Sequence, residues 1–423
     1  MGGRLLRTAP LATAYTGRAN SFGFLRLCFS IAVVLAHAAV LGYARPLTTV
    51  VDVPGLAVAG FFGISGFLIT RSARRSPLPR FLWHRALRIL PGLWVCLLVT
   101  ALVVAPVLWY LDRGTLGGLL RHPTGALNYL SQNWWGGLRQ GGIVDLFRWD
   151  TPYGEMSRRS LVNGSLWTLS YEILCYLVVA AMALLAVLRR ARWLVLASVV
   201  GLFGVLCWNH YEVLRFGLPT LWSGGTFGPV PLLGEFSQTW LLWYGFMFMA
   251  GAAADLYRDK IPMNDLLGVV ALVVVTWFAL RGEFFGPALL AYEYVILWLA
   301  IRLPARLQGI GQRTDYSYGL YIYSFVVQQV MAKYGVPALG FVGYFLASLA
   351  VSFVLAFGSW HLVEKQALRL KGWQPPAVRP SRWRRRRRSA APPALAGAGD
   401  AVPGPVPAQA GDAESGDGPP ARV

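Results

Sequence analysis

Long apolar segments separated by shorter polar ones run through most of the chain. An α-helix needs about 20 such residues to cross a bilayer. The pattern predicts ten spans, at residues 22–42, 53–70, 88–111, 166–188, 193–208, 239–257, 266–280, 288–302, 317–334 and 337–361. We therefore predict an all-α fold, a polytopic transmembrane bundle of about ten helices.

Two ionisable residues lie inside the first predicted span. Arg26 and His37 are eleven positions apart. This is about three helical turns, so both side chains fall on one stripe, roughly 16 Å apart along the axis. Ionisable groups within a bilayer are costly unless they face protein or water, so the pair indicates a functional site. The alternative is an interfacial arginine with a histidine that only bonds a neighbouring helix.

The positive charge of the chain follows the predicted topology. The 423 residues carry a formal net charge of +20, but most arginines fall in alternate loops, as the positive-inside rule describes. We predict a multi-pass protein of a bacterial inner or plasma membrane, with both termini cytoplasmic. Because topology explains most of the charge, no nucleic-acid partner is expected.

Composition divides the chain into three regions. Residues 1–21 form a basic cytoplasmic segment, and residues 22–372 form the transmembrane domain. Residues 373–423 are rich in proline, alanine and arginine, cannot bury a core, and are predicted to be a disordered cytoplasmic tail. The arginines at 384–388 could hold anionic lipid headgroups, and a solvated tail with topogenic charge explains them equally well.

The connection at residues 112–165 is longer than usual, and loops of this length are typically functional or disordered. Its apolar clusters argue against disorder, and we expect it on the extracytoplasmic side. Trp134 and Trp135, with Trp149 and Tyr153, could offer flat faces to a sugar or could form an interfacial aromatic belt. We predict Trp134 and Trp135 as substrate-binding residues.

A carboxylate lies about two turns inside the fourth predicted span. If that helix enters from outside near Leu166, Glu172 lies about 9 Å and His37 about 8 Å below the outer ends of their helices. The two side chains are then expected to meet. A carboxylate bonded to one imidazole nitrogen leaves the other able to accept a hydroxyl proton. The alternative is that Glu172 pairs with an arginine or a hydroxyl for packing alone.

Four arginines are predicted to converge on the cytoplasmic side: Arg26, Arg71, Arg85 and Arg88. Arg85 and Arg88 are one helical turn apart. Guanidinium groups match phosphate in a planar, multidentate way. We therefore predict that Arg26, Arg85 and Arg88 bind a phosphate-bearing substrate such as coenzyme A. The alternative is that these charges serve topology only.

Six short motifs follow one another between residues 20 and 370. They are the arginine-ten residues-histidine spacing of the first span, FFGISGFLIT from Phe61, HRALRILP from His84, NGSLWTLSYE from Asn163, DYSYGLYIY from Asp315 and HLVEK from His361. In this order and spacing, the chain resembles the acyltransferase 3 family of membrane O-acyltransferases.

The resemblance implies transfer of an acyl group, usually acetyl, from cytoplasmic acyl-CoA to a hydroxyl of an extracytoplasmic or lipid-linked carbohydrate, or of a small secondary metabolite. It implies that His37 is catalytic and that Arg26 belongs to the same motif. Arg85 and Arg88 match the basic motif of the family, and Glu172 matches its acidic position. Expected partners are acetyl-CoA, a carbohydrate acceptor and membrane lipids, without a metal.

The expected mechanism uses His37, oriented by Glu172, as the base that deprotonates the acceptor hydroxyl for attack on the thioester. A transient acyl-histidine or acyl-serine is the alternative. Ser65, in the motif from Phe61, is a candidate oxyanion donor and is included among the substrate-binding residues.

The chain departs from the family pattern at two positions. Ser324 stands where many members have a histidine, and Gln366 stands where a proline is usual. Because no hydrolase-like domain follows the tenth span, we expect the stand-alone form. Two other classes of protein fit ten spans with intramembrane charges: a transporter or flippase of lipid-linked sugars, and a non-catalytic subunit of polysaccharide assembly.

Overall fold

The ten apolar segments are all helical in the computed structural model, which describes residues 8–17, 19–217 and 224–372. The corresponding helices are α1 (Phe22–Tyr43), α2 (Val53–Arg75), α3 (Leu78–Val99), α4 (Trp167–Leu184), α5 (Arg192–Phe216), α6 (Gln238–Leu256), α7 (Asp265–Leu280), α8 (Ala288–Arg302), α9 (Ser317–Lys333) and α10 (Gly340–Ser359). The predominantly helical fold class is therefore confirmed.

Shorter elements complete the described part of the fold. Helix α3 continues through a π turn (Thr100–Val104) into Ala105–Arg113, and α10 continues through Trp360–Glu364, Lys365–Arg369 and Leu370–Gly372. The short helices are Leu11–Ala14, Ala126–Asn133, Pro152–Ser157, Val187–Arg190 and Ala305–Gln308, with 3₁₀ turns at Gly164–Leu166 and Val336–Leu339. The strands are β1 (Ala9–Pro10), β2 (Thr226–Val230), β3 (Gly234–Ser237) and β4 (Pro262–Met263). They pair antiparallel, β1 with β4 and β2 with β3.

Within the described ranges, six helical segments are long and apolar enough to cross a membrane. They are Phe22–Tyr43, Val53–Arg75, Leu78–Arg113, Gly164–Leu184, Arg192–Phe216 and Val336–Gly372. The other four predicted spans form the helices α6, α7, α8 and α9, of 19, 16, 15 and 17 residues. The protein is therefore a membrane protein, whereas the figure of ten crossings and the sidedness of the loops stay predictions.

Helix α3 differs most from the sequence prediction. It begins at Leu78, ten residues before the predicted start. A proline in the first turn suits a helix start, because its missing N–H would lack a partner there in any case, and Pro79 occupies that turn. As a result, Arg85 and Arg88 belong to a helix within the bundle rather than to a loop.

Small residues allow α2 and α6 to pack closely. A Cβ atom at Gly66 would lie 2.0 Å from the carbonyl oxygen of Phe248, and one at Gly251 would lie 2.2 Å from that of Gly63. Membrane helices associate through this kind of close backbone approach. The contact holds the FFGISGF motif of α2 against α6.

Replacing Gly66 by alanine is expected to destabilise the protein by about 1–3 kcal/mol, because the added methyl group overlaps a backbone atom that cannot rotate away. Thermal unfolding of the purified protein in detergent measures the effect. Gly204→Ala in α5 is the matched control, since no atom of residues 8–17, 19–217 or 224–372 lies within 4 Å of its Cβ position. Equal stability of the two variants would contradict the packing argument.

The helix ends gather on two opposite faces. On one face, the C-terminal ends of α2 and α6 meet at an ion pair between Arg74 and Asp255, 3.1 Å apart. On the other, the Tyr43 hydroxyl at the end of α1 donates to the Pro337 carbonyl at 2.8 Å. We call the first the arginine face and the second the loop face. The arginine face corresponds to the side predicted to be cytoplasmic.

Residues 112–165 form a folded loop on the loop face. Lys333, at the end of α9, pairs with Asp150. The loop then enters the bundle, because the side chain of Asn163 is fully buried and donates to the Ile322 carbonyl at 2.7 Å. Helix α4 therefore begins beside the first half of α9.

The two chain ends are described to different extents. The predicted tail at 373–423, with its arginine run, lies outside the described residues, as do residues 1–7 of the predicted N-terminal segment. Further along that segment, Leu11 and Tyr15 are buried, and the Leu11 amide donates to the Ile261 carbonyl at 2.8 Å. This part of the N-terminal segment therefore packs on the helical domain.

Candidate active site

A cavity lies between helices α1, α2, α4 and α9, and we call it the central cavity. It is lined by Arg26, Val58, Phe61, Phe62, Ser65, Thr168, Leu169, Glu172, Ser317, Tyr318 and Tyr321. The structure thus brings together three residues that the sequence analysis selected, Arg26, Ser65 and Glu172. Aromatic and aliphatic side chains form part of its wall and polar side chains the rest, and such a mixture is usual for ligand sites.

One carboxylate links three helices at the end of the central cavity nearest the arginine face. Asp315, in the connection before α9, pairs with Arg26 at 3.1 Å and with Arg88. The backbone amide of Ser317 donates to Asp315 at 3.1 Å, and the Ser30 hydroxyl donates to the Ser317 carbonyl at 2.7 Å. Helices α1, α3 and α9 are therefore linked through this group.

The pKa of Asp315 reflects these neighbours. Burial by itself raises the pKa of a carboxyl group, but the guanidinium groups of Arg26 and Arg88 and the hydrogen bonds from Ser317 outweigh it and lower the pKa from 3.8 to about 2. Asp315 is therefore ionised at neutral pH and offsets part of the positive charge.

Glu172 has its hydrogen-bond partner on its own helix. The Tyr176 hydroxyl, one turn further along α4, donates to the Glu172 carboxylate. The guanidinium carbon of Arg85 lies 6.0 Å from the centre of the Tyr176 ring. These three side chains form a second polar cluster of the site, contributed by α3 and α4.

His37 lies apart from this cluster. Its ring packs edge-on against Phe325, with ring centres 5.2 Å apart, and its Nδ1 is buried without a hydrogen-bond partner among the described residues. The same Phe325 ring lies against Gly164, at the first turn leading into α4. Glu172 is eight residues beyond Gly164, about 12 Å further along the helix. The predicted hydrogen bond between Glu172 and His37 is therefore wrong.

The depth prediction failed because α4 does not begin at the outer end of the bundle. Asn163 is anchored to Ile322 in α9, and Thr168 shares a 2.7 Å hydrogen bond with Tyr321. The two helices run antiparallel, so each further turn of α4 approaches the start of α9. This arrangement places Glu172 near the level of Arg26.

The two predicted substrate-binding tryptophans do not line the central cavity. The Trp134 ring stacks on Trp94 of α3, with centres 5.0 Å apart, and the Trp94 indole donates to the Trp134 carbonyl at 2.9 Å. The side chain of Trp135 is 50% exposed. Packing against α3 therefore occupies one face of Trp134, whereas Trp135 remains half exposed in the loop.

Sequence reasoning assigned no role to Asp315 or Tyr176. Asp315 is the first residue of the motif DYSYGLYIY, directly before an apolar span. A carboxylate at the edge of a membrane span costs free energy unless it is paired, as the intramembrane arginines do. Tyr176 follows Glu172 by one helical turn, a spacing at which side chains interact. Both signals were present in the chain, but only the structure identifies the partners.

The site contains carboxylate, guanidinium and hydroxyl groups in a partly aromatic cavity, with the imidazole of His37 further along α1. Among the described residues, no group of three histidine, cysteine, aspartate or glutamate side chains could hold a metal ion. Arg71 shares the arginine face but not the cavity, and its guanidinium carbon lies 4.6 Å from the centre of the Tyr15 ring.

Comparison with known proteins identifies the family. Residues 20–357 match the model of the acyltransferase 3 family, described as an acyltransferase domain. An O-acetyl transferase of Shigella phage Sf6 is 28% identical over 359 residues, which cover 83% of this chain and 96% of that protein. Nodulation protein 10 of Rhizobium leguminosarum bv. viciae is 30% identical over 388 residues, covering 84% of this chain and 95% of its own. No solved structure matches the chain.

The matched region runs from the start of α1 almost to the end of α10, and it contains the central cavity and His37. The resemblance predicted from the six motifs is confirmed. The chain belongs to the acyltransferase 3 family and is a membrane acyltransferase.

Proposed function

We propose that this protein is an O-acyltransferase that moves an acyl group, in the first instance acetyl, from acyl-CoA to a hydroxyl of an extracytoplasmic or lipid-linked carbohydrate. The arrangement along α1 carries the proposal: Arg26 lines the central cavity, and His37 lies about 16 Å nearer the loop face. A donor that enters from the arginine face and an acceptor that enters from the loop face can then meet at His37.

The donor is proposed to enter the central cavity with its thioester end directed along α1 toward His37. Arg26, Arg85 and Arg88 are the proposed donor-binding residues, together with Glu172. Helix α2 runs antiparallel to α1, and the guanidinium carbon of Arg26 lies 5.9 Å from the centre of the Phe61 ring. Ser65, one turn nearer the arginine face, is therefore suited to contact the arm of the donor rather than an oxyanion at His37.

His37 is the proposed general base. Its Nδ1, which has no hydrogen-bond partner among the described residues, is the proposed acceptor of the proton of a substrate hydroxyl. The hydroxyl oxygen then attacks the thioester carbonyl carbon, and the tetrahedral intermediate collapses with cleavage of the carbon–sulfur bond. The thiolate of coenzyme A leaves and takes the proton from the imidazolium, so the products are an ester and free coenzyme A. Trp134 and Trp135 are proposed to contact the acceptor at the loop face.

Two measurements test the proposal. Purified protein in nanodiscs is expected to release coenzyme A from labelled acetyl-CoA in the presence of a glycan extract from the host, with label appearing in the glycan. Mass spectrometry of surface glycans from cells with and without the protein is expected to show a difference of one acyl unit. Movement of a lipid-linked sugar without acylation would instead support a transporter and overturn the proposal.

A further inference from the structure

A second cavity lies on the arginine face and is lined entirely by arginines: Arg71, Arg74, Arg75, Arg189 and Arg258. We call it the five-arginine cavity. Asp255 is fully buried beside it and pairs with Arg74 at 3.1 Å and with Arg258 at 3.7 Å. Among the described residues, no salt bridge joins a carboxylate to the other three guanidinium groups of the cavity, on Arg71, Arg75 and Arg189. The excess of positive charge creates a potential that attracts anions.

Several of these arginines are held in place by the protein. The Arg189 guanidinium donates to the Arg74 carbonyl at 3.3 Å, which ties the segment before α5 to the end of α2. Arg71 lies over the Tyr15 ring, and its Nη1 is buried with no hydrogen bond to any residue that the structure describes. A buried donor of a charged group costs free energy until it is bonded. The cavity is therefore suited to an anion that accepts this hydrogen bond.

The central cavity has a different charge balance. Arg26 and Glu172 line it. Around them lie two further guanidinium groups, on Arg85 and Arg88, and two further carboxylates, on Asp315 and Glu364. Glu364 lies within 3.3 Å of the Cβ position of Gly92, one turn along α3 from Arg88. Little positive charge remains there to balance a ligand with several phosphate groups.

One face of α2 connects the two cavities. Phe61 and Ser65 line the central cavity, and Leu68, Ser72 and Arg75 continue the same stripe along a groove that also contains Arg71. Steps of three and four residues keep side chains on one side of a helix. From Ser65 to Arg75 the helix rises about 15 Å. A long ligand can therefore lie along α2 with an anionic end at the arginines.

We propose that the five-arginine cavity binds phosphate groups and that, given the proposed function, these are the phosphates at the nucleotide end of acyl-CoA, while the thioester end occupies the central cavity. Arginine suits this role because its donors match phosphate oxygens in pairs. The headgroup of an anionic phospholipid would present the same chemistry.

Equilibrium binding to the full-length protein in phosphatidylcholine nanodiscs tests the proposal, with coenzyme A and phosphate-free pantetheine as probes. The variants Arg71→Gln and Arg75→Gln are each expected to weaken coenzyme A binding about tenfold, as for the loss of a charged hydrogen bond, and to leave pantetheine binding unchanged. Arg80→Gln is the matched control, because Arg80 is exposed on the same face but lines neither cavity.

A second arm identifies the source of the phosphate. Native mass spectrometry measures how much phosphatidylglycerol each protein retains. Loss of the lipid from the Arg71 and Arg75 variants, with coenzyme A affinity unchanged, would support a phosphate cavity filled by lipid. Unchanged binding of both ligands, or an equal loss for coenzyme A and pantetheine, would overturn the proposal.

These outcomes test the phosphate cavity independently of the proposed function, because coenzyme A binding can be measured without acyl transfer. A protein that acylates glycans but whose variants bind coenzyme A and lipid normally would refute the phosphate cavity alone. A protein whose coenzyme A affinity depends on Arg71, and which transfers no acyl group, would refute the proposed function alone.

Discussion

His37→Ala is expected to lower the rate of acyl transfer at least about a hundredfold while the protein remains folded. A positioned general base typically accelerates a reaction by about 10²–10⁴-fold. The fold is expected to survive, because Nδ1 of His37 makes no hydrogen bond with the described part of the chain that the substitution would remove. The ring contributes one edge contact with Phe325. Transfer of label from acetyl-CoA to glycan measures the rate, and thermal unfolding measures the fold.

His122→Ala is the matched control for this prediction. His122 is an exposed residue of the loop at 112–165 and contacts Thr124 within that loop. Its replacement is expected to leave both the rate and the stability within error of the unchanged protein. A folded His37→Ala protein that acylates its acceptor at the normal rate would refute the assignment of the base.

Asp315→Asn is expected to destabilise the protein by about 3 kcal/mol, because it leaves the guanidinium groups of Arg26 and Arg88 without their shared counter-charge. The side chain of Asp315 is 11% exposed and that of Arg88 is 15% exposed, so water replaces little of the lost interaction. Arg26 is 25% exposed, which places the expected effect near the lower end of the range for buried pairs. Thermal or denaturant unfolding in detergent measures the change.

Asp145→Asn provides the matched control. Asp145 pairs with Arg113 at 2.8 Å, but both side chains are 35% exposed. An ion pair in contact with water contributes about 0–1 kcal/mol. If the two asparagine variants lose equal stability, the linking role of Asp315 is wrong.

The same carboxylate predicts a dependence of stability on pH. The pKa of Asp315 is about 2 in the folded protein against an ordinary value of 3.8, so the folded state favours the ionised form. This contribution is fully present above about pH 4 and is lost as the pH falls through 2. The Asp315→Asn variant is expected to lack that part of the acid sensitivity.

Much of the fold was predictable from the sequence because helices in a membrane satisfy their backbone hydrogen bonds locally. All ten apolar segments are helical. The start of α3 was predicted too late in the chain, because the charged residues of HRALRILP interrupt the apolar pattern from which the span was predicted. Asp315, in the connection before α9, pairs with Arg88, and the Tyr176 ring of α4 lies near Arg85. The hydropathy of one segment does not reveal such partners.

The candidate site was predictable in its residues but not in its arrangement. The motifs selected Arg26, Ser65 and Glu172, which line one cavity. They also predicted that Glu172 orients His37. That contact requires the start of α4 and the end of α1 to lie at the same depth in the bundle. The burial of Asn163 against α9 shifts α4 toward the arginine face, so Glu172 binds Tyr176 instead.

By itself, the sequence determined that the protein is a bundle of apolar helices of the acyltransferase 3 family, with Arg26 and His37 on one stripe of α1. The helical repeat and the free-energy cost of a charge in lipid are local properties, so the sequence of one segment is enough to predict both the helix and its candidate functional residues. Only the tertiary structure decided the depth of each helix and the partners of its polar groups. Those depend on contacts between residues far apart in the chain, such as Arg88 with Asp315 and Asn163 with Ile322.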